Sequence, residues 1–264
     1  DPIVLCDQLA NRWILTNFAY GFGDYGSPAP PFYQCIAVSK TSDPVTGGWW
    51  FYPVRMDPGG DGLPPVGTIN DYPKFGIWTD CLYMASNEFA MPSEGYLGVA
   101  FASFSRSDMY AGLPLTWSLG FLPYPDNNIF TMIPGNLLGS SHASLPPSGR
   151  PNYYVSESQS PNPQNFEVRA FTAGPNCGDG GTLGQPTLVS QESYQVPIDP
   201  VTFSPNIVPQ FDTTIKLDSL DDRLMQKVQY RKVGDTESLW VVHSVQTSST
   251  SPVTPQWAQI DVTG

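Results

Sequence analysis

Two aspartates on a glycine-rich stretch have the type and spacing that could bind a metal ion. Asp57 and Asp61 lie in DPGGDG (57–62), and PDNN (125–128) gathers further oxygen donors. Ca²⁺ prefers about six to eight hard oxygen ligands, which such loops can supply. Neither stretch has the spacing of an EF-hand. An Asp-Gly turn is the favoured interpretation, and a Ca²⁺ site held by Asp57 and Asp61 is the functional alternative.

Four aromatic residues could bind a carbohydrate by stacking. Trp49, Trp50, Tyr110 and Trp117 lie near turns that join predicted strands. Aromatic rings also contribute large buried areas where sheets pack on each other. Packing is therefore the favoured interpretation, and these four residues are the candidate glycan-binding set.

The chain has two histidines, and neither lies in a recognisable catalytic arrangement. His243, in WVVHSVQ, alternates with apolar residues and is predicted to be a packed strand residue. His142, in GSSHASLPP, is predicted to lie on a solvated loop. No serine has the GxSxG surroundings of a nucleophile elbow.

Carboxylates are available for glycosidase chemistry, which needs two of them across a sugar. Asp7 and Asp218 recur at equivalent repeat positions, followed five residues later by Arg12 and Arg223. A single active site does not need copies of its residues, so recurrence indicates that each pair braces a turn. We therefore predict no catalytic residue.

The composition favours short strands and excludes several partners. The chain has 264 residues with 28 Pro and 24 Gly, which interrupt any long helix. The net charge is −12, which repels nucleic acid and anionic lipid. No stretch is long and apolar enough to be predicted as a transmembrane helix. Because residue 1 is Asp, we expect that the numbering begins after processing or inside a longer chain.

Similar segments recur at a spacing near 70 residues. WILTN (13–17) aligns with YMASN (83–87), and YYVSES (153–158) follows after another 70 residues. CDQLANRWI (6–14) aligns without a gap on LDSLDDRLM (217–225), at three times that spacing. A fixed period is typical of repeat architectures.

Alternating apolar residues and turn residues predict about four strands in each repeat. Repeated antiparallel four-stranded units are typical of a β-propeller. We predict an all-β chain, residues 1–264, folded as one propeller domain with about four four-stranded blades. A β-sandwich is the alternative. The predicted blades are residues 1–70, 71–135, 136–210 and 211–264.

Cys6, Cys35, Cys81 and Cys177 have no CxxC spacing and no adjacent histidine, so a zinc site is not predicted. Three pairings of the four are open to disulfide formation, and the sequence does not choose among them. Buried free thiols and at least one disulfide, if the protein is secreted, both remain open.

Four segments together resemble a family of secreted bacterial proteins with sialidase-like repeats, most of them uncharacterised. SDPVTGGW (42–49) and SDMYAGLPLTW (107–117) also loosely resemble the Asp-box turn of such repeats. The resemblance implies a secreted β-propeller, or an arc of a larger ring, and carries no established activity or catalytic residue. The segments are VLCDQLANRWILTNF, QCIAVSKTSDPVTG, NDYPKFGIWTDCLYMASNEF and KLDSLDDRLMQKVQYRKVGDTESLWVVHSV.

These observations predict a non-enzymatic extracellular protein that serves as a surface, scaffold or self-assembling subunit, in a fibre or layer. The expected partners are further copies or the remaining blades of a longer chain. The alternative is a polysaccharide-binding or glycan-cleaving protein whose site lies at the ring axis. No cofactor is predicted apart from the Ca²⁺ alternative.

Overall fold

The computed structural model of the protein describes residues 2–139, 144–158 and 165–264. Within these ranges the regular structure is β-strand except for one short α-helix and brief 3-10 turns. The all-β prediction is therefore confirmed. His142 lies outside the described residues.

The first half of the chain forms two antiparallel four-stranded meanders, called sheet A and sheet B, each with its strands in sequence order. The strands predicted from alternation in the first two repeats lie here. Sheet A contains β1 (Ile3–Asp7), β2 (Arg12–Phe22), β3 (Pro28–Ser39) and β4 (Trp49–Arg55). Sheet B contains β5 (Thr68–Ile77), β6 (Cys81–Ala90), β7 (Gly95–Ser105) and β8 (Trp117–Pro123), with helix α1 (Arg106–Ala111) between β7 and β8.

The second half forms one larger sheet, called sheet C, and a separate two-stranded ribbon of β14 and β15. Sheet C runs in the order β12-β11-β10-β9-β16-β17-β18, with β13 also paired to β11. Its strands are β9 (Ile129–Asn136), β10 (Asn152–Ser158), β11 (Asn165–Thr172), β12 (Thr182–Leu183), β13 (Thr187–Ser190), β16 (Val228–Val233), β17 (Thr236–Val245) and β18 (Thr254–Asp261). The ribbon strands are β14 (Asn206–Val208) and β15 (Leu217–Asp218).

The predicted four-bladed propeller is wrong. Strands from the third and fourth predicted blades share sheet C, because β16 pairs in parallel with β9 instead of starting a blade of its own. The described sheets contain four, four, eight and two strands, and none closes into a ring. The physical reason lies in the proline-rich segment 185–210, which supplies only short strands. The edge of β9 that faces away from β10 therefore pairs with β16, which removes an unpaired edge.

The layered packing indicates a β-sandwich, with sheet B as the middle layer. Strand β6 is buried on both faces, as expected for a strand between two layers. Its residues alternate between two clusters: Leu82 and Met84 pack against sheet A, whereas Tyr83 and Ala85 pack against sheet C. The core therefore has two apolar layers with sheet B between them.

Sheets A and B face each other through equivalent residues of the repeat. Leu5 corresponds to Phe75 at a spacing of 70, and Ile14 corresponds to Met84; all four lie in the cluster between the two sheets. Blades related by rotation around a ring would instead contact each other through opposite faces. The residues aligned at a spacing of 70 in the first two meanders therefore meet in one cluster, and the two meanders pack face to face as in a sandwich.

A disulfide joins the middle layer to the third layer. Cys81, at the start of β6, is bonded to Cys177 in a 3-10 turn after β11, across 96 residues of sequence. Cys6 and Cys35 are free thiols.

Candidate functional site

The outer face of sheet A is an exposed apolar surface that crosses all four of its strands. One row of paired residues runs Val4–Leu15–Ala37–Phe51 through the registers of β1 to β4. The exposed fractions are 60% for Val4, 38% for Leu15 and 74% for Phe51. An exposed apolar row of this length is typical of an interaction surface.

A groove of about 490 Å³ lies along this face. Its lining residues are all uncharged, although the chain as a whole has a net charge of −12. They are Pro2, Ile3, Val4, Leu15, Thr16, Asn17, Cys35, Ile36, Ala37, Phe51, Tyr52 and Pro53. We call this surface the outer face of sheet A.

Local sequence explains why this face is apolar. In an antiparallel sheet with one face in water, successive residues alternate between apolar inward and polar outward positions. In β2, Ile14 points inward and is fully buried, yet its neighbour Leu15 points outward and is also apolar. In β3, Ile36 is buried while Cys35 and Ala37 face outward. The inward and the outward positions are thus both apolar, which is the pattern of a strand covered on both faces.

Both free cysteines lie on the outer face of sheet A. Cys6 is exposed on β1, and Cys35 is half-buried on β3. Cys35 lies two strands away from Cys6 and is displaced from it by four residues along the strand direction. Ordinary strand spacing therefore separates the two residues by roughly 16 Å, which is too far for a disulfide between them. Burial raises the pKa of the Cys35 thiol, so this cysteine is not an activated nucleophile.

Two of the residues predicted to stack on glycans, Trp49 and Trp50, make local packing and hydrogen-bond contacts. The Trp50 ring lies against Gly112, where an added Cβ would come within 2.5 Å of the ring. The Lys40 ammonium is 3.8 Å from the Trp50 ring centroid, and the Trp49 indole donates to the Pro44 carbonyl over 3.0 Å. The glycan role of these two tryptophans stays a prediction.

Trp117 and Tyr110 belong to the interface between sheets A and B. The Trp117 ring stacks on Phe104, with centroids 6.2 Å apart. Tyr110 packs against the cluster between these sheets, and its hydroxyl donates a hydrogen bond to Asp7. A glycan role for these two residues also stays a prediction.

The Asp57 carboxylate is buried and accepts hydrogen bonds. Its oxygens accept from the Phe32 amide at 3.1 Å, the Gly67 amide at 3.0 Å and Arg55 Nε at 3.1 Å. Asp61 is exposed. Among the described residues, no three His, Cys, Asp or Glu side chains group as metal ligands. The Ca²⁺ site stays a prediction.

The predicted bracing pairs have different partners from those expected. Asp7 is buried and binds Arg106, which donates to it through Nε at 2.8 Å and through a second guanidinium nitrogen. Arg12 instead donates to the Ala10 and Asn11 carbonyls. Asp7 and Arg106 are 99 residues apart in sequence, so the pair joins sheet A to the start of α1.

The second predicted pair is also replaced, although the turn itself is repeated. Arg223 contacts Asp221 at 3.2 Å instead of Asp218. Asp218 accepts from the Leu220 amide at 2.6 Å, as Asp7 accepts from the Leu9 amide at 2.9 Å. Each aspartate therefore caps the turn that follows its strand, which is the feature that the repeated sequence encodes.

The two Asp-box-like stretches fold differently. Asp43 accepts hydrogen bonds from the Val45 and Thr46 amides, so the first stretch is an Asp-capped turn. The second stretch forms helix α1, whose N-terminal cap is Ser105 and whose C-terminal cap is Gly112 in the left-handed conformation. Only the first therefore has the predicted turn.

A buried titratable cluster joins two parts of sheet C and the loops beside it. Glu157 Oε1 lies 3.3 Å from His243 Nδ1. The Tyr194 hydroxyl donates to Asp222 at 2.8 Å, and the Gln191 amide donates to Glu157 at 2.6 Å. His243 is a buried strand residue, as predicted.

The electrostatics of this cluster favour uncharged side chains. Burial, followed by the nearby Asp222 charge, raises the pKa of Glu157 to about 8. Burial lowers the pKa of His243 below its ordinary value of 6.5. Both side chains are therefore uncharged at neutral pH, and His243 Nδ1 donates its hydrogen bond to the Asp222 carbonyl oxygen at 3.2 Å. The cluster is closed to solvent and joins β10 to β17, which is a structural role.

Comparison of the chain with models of known families, with curated proteins and with solved structures finds no significant match in any of the three. The resemblance to a secreted bacterial family therefore stays a prediction. None of the described helices is long and apolar enough to cross a membrane.

Sequence reasoning missed the outer face of sheet A. The sequence of β2 and β3 contains the pattern that indicates this face, because apolar residues occupy both the inward and the outward positions of these strands. The sequence prediction places those strands in the first predicted blade, residues 1–70, and does not single out their outward face.

Proposed function

We propose that this chain is a non-enzymatic extracellular subunit that assembles by burying the outer face of sheet A against a second copy of itself. The single observation that carries the proposal is the exposed apolar row Val4–Leu15–Ala37–Phe51. Full burial of a large apolar side chain contributes about 1.5–3 kcal/mol. Burial of this row therefore offers a favourable free energy that offsets part of the cost of association.

Charge supports a second copy as the occupant. Two chains that each carry a net charge of −12 repel each other through most of their surfaces. The outer face of sheet A is lined by uncharged residues, so two copies can meet there without bringing like charges into contact. An uncharged patch on a strongly acidic chain is the surface best suited to self-association.

The disulfide supports the extracellular part of the proposal. Disulfides form and persist in oxidising compartments, and Cys81–Cys177 is such a bond. The resemblance to secreted proteins points to the same compartment.

Sedimentation velocity over a range of concentrations tests the proposal. We expect the wild-type chain to associate reversibly and Phe51→Asp to remain monomeric, because a carboxylate would be desolvated at the contact. Phe211→Asp is the matched control, since Phe211 is 100% exposed but lies outside sheet A. A wild-type chain that stays monomeric at all concentrations, or equal association of both variants, would contradict the proposal.

A specific observation also favours the carbohydrate-binding alternative, at a different place from the predicted residues. Trp240 and Trp257 stack on β17 and β18 with ring centroids 5.4 Å apart, and Trp257 is 66% exposed. Exposed stacked indoles can bind a sugar ring. Loss of binding to a polysaccharide panel in Trp257→Ala, with binding kept in Phe51→Asp, would support this alternative.

A further inference from the structure

We infer that the assembly closes as a two-fold dimer in which the outer faces of sheet A of two copies pack on each other with their rows reversed. This inference rests on the proposed function and specifies its geometry. The two-fold axis lies in the plane of the interface, parallel to the strands, and passes between β2 and β3. It places Phe51 of each copy over Val4 of the other, and Ala37 over Leu15.

The molecule already contains a contact of this kind. Sheets A and B pack through equivalent faces, with Leu5 and Phe75, and Ile14 and Met84, in one cluster. Two similar meanders, sheets A and B, thus already pack face to face inside one chain. An isologous contact, in which the same patch is used on both partners, repeats this arrangement between chains.

The shape of the row suits reversal. Phe51, on the edge strand β4, projects furthest, with 74% of its surface exposed. Ala37, on the inner strand β3, is small and half-buried, which leaves the centre of the row low. Across four strands the row spans about 14 Å at ordinary strand spacing. When the rows are reversed, each large Phe51 ring therefore lies at the outer end of the opposite row, beside Val4, and the small Ala37 side chain lies near the centre.

The equivalent face of sheet B supplies a second argument. The Tyr83 and Ala85 face corresponds, at a spacing of 70, to the Trp13 and Leu15 face of sheet A. On sheet B this face is covered by aromatic residues of sheet C, among them Tyr154 and Phe171. The repeat thus encodes a face that packs under another sheet. In the dimer the covering sheet is sheet A of the second copy.

A contact between unlike faces would behave differently. The stacked pair Trp240 and Trp257 is another exposed apolar site, on sheet C. If the outer face of sheet A bound that site on the next copy, each added chain would leave a free site at each end. Such heterologous contacts grow into rings or open filaments, whereas the two-fold contact uses the same patch on both copies and stops at two chains.

A charge exchange across the contact tests the register. Val4→Lys alone and Phe51→Asp alone should each abolish the dimer, because each buries two unpaired charges. In the double variant Val4→Lys/Phe51→Asp, each aspartate lies over a lysine of the other copy, and the dimer should return. Sedimentation equilibrium of the wild type should give a limiting mass of twice 28.9 kDa.

Three results overturn this inference while leaving self-association intact. They are a limiting mass above the dimer, loss of association in Trp257→Asp, and a double variant no better than the single variants. A wild-type chain that never associates contradicts the proposed function itself. Unchanged thermal unfolding of each exposed-site variant at a concentration where it is monomeric confirms that the chain still folds.

Discussion

The two meanders of this protein have the same strand order and pack on each other through the same face, but their remaining faces differ. On sheet B, the face that contains Tyr83 and Ala85 is covered by sheet C. On sheet A, the corresponding face contains Leu15 and is exposed. The difference shows that apolar residues on both faces of a strand indicate a sheet that packs against another layer on each side. Whether the second layer comes from the same chain depends on the rest of the sequence.

The disulfide ties the cover to sheet B, and its removal should give the largest effect. For Cys81→Ala/Cys177→Ala we expect a loss of about 4–5 kcal/mol of unfolding free energy, because a cross-link across 96 residues restricts the unfolded chain. Urea unfolding checks this value. The matched control Cys6→Ser/Cys35→Ser should leave the monomer's stability nearly unchanged. Equal effects of the two double variants would contradict the assignment.

Truncation at the interface between sheets B and C should cost much more than truncation on the exposed outer face of sheet A. Tyr154 is fully buried, and its hydroxyl donates to the Met84 and Ala102 carbonyls at 3.1 Å each. Tyr154→Ala should lose about 4 kcal/mol, as aromatic truncations in cores do. Phe51→Ala should change the stability of the monomer by less than about 0.5 kcal/mol. Comparable losses in urea unfolding would mean that sheet A is covered within the monomer.

The first two meanders were predictable from the sequence because their strands alternate and their turns carry Asp, Asn and Gly. Sheet C was not, since its parallel pairing of β9 with β16 joins segments about 90 residues apart, and no local pattern encodes such a pairing. The Asp7–Arg106 contact was missed for the same reason: a nearby arginine, Arg12, offered a local partner that the structure does not use.

The layer that covers sheet B contains a buried carboxyl, Glu157, whose ionisation should make stability depend on pH. The pKa of Glu157 is about 8 in the folded protein, above its ordinary value of 4.5. The folded state therefore keeps a proton that the unfolded state has lost, and stability falls as pH rises from about 4.5 to 8. The depressed pKa of His243 acts in the opposite direction, but only below 6.5.

The window from pH 6.5 to 8 isolates Glu157 from His243. Over this range we expect a loss of about 2 kcal/mol, at about 1.4 kcal/mol per pH unit. Asp222, Tyr194 and Gln191 also face this carboxyl. Urea unfolding at several pH values should show the loss in the wild type and in the exposed control Glu94→Gln. Glu88 is fully buried on β6, and burial raises its pKa well above 4.5, so it lowers stability with rising pH in the same direction. In a Glu88→Gln background, a loss that persists when Glu157→Gln is added would contradict the assignment.

The smallest expected change in stability comes from the contact between Gly112 and the Trp50 ring, at the interface of sheets A and B. Gly112 has a φ of 68°, and an added Cβ would lie 2.5 Å from the Trp50 ring. Gly112→Ala should therefore destabilise the protein by about 1–2 kcal/mol, through both backbone strain and displacement of the ring. Gly62→Ala has a similar φ of 70° with nothing within 4 Å and should cost less in thermal unfolding. Equal costs would show that the ring contact contributes nothing.

Alkylation of the two free thiols tests the central claim most directly, because Cys6 and Cys35 lie on the outer face of sheet A. Iodoacetamide labelling, followed by mass spectrometry, is measured over a range of protein concentrations. At about 100 times the dissociation constant, less than about one tenth of the chain is monomeric, so Cys35 should react about tenfold more slowly than in dilute protein. Phe51→Asp should react at the dilute rate throughout. A Cys35 rate that is independent of concentration in the wild type would contradict burial of this face.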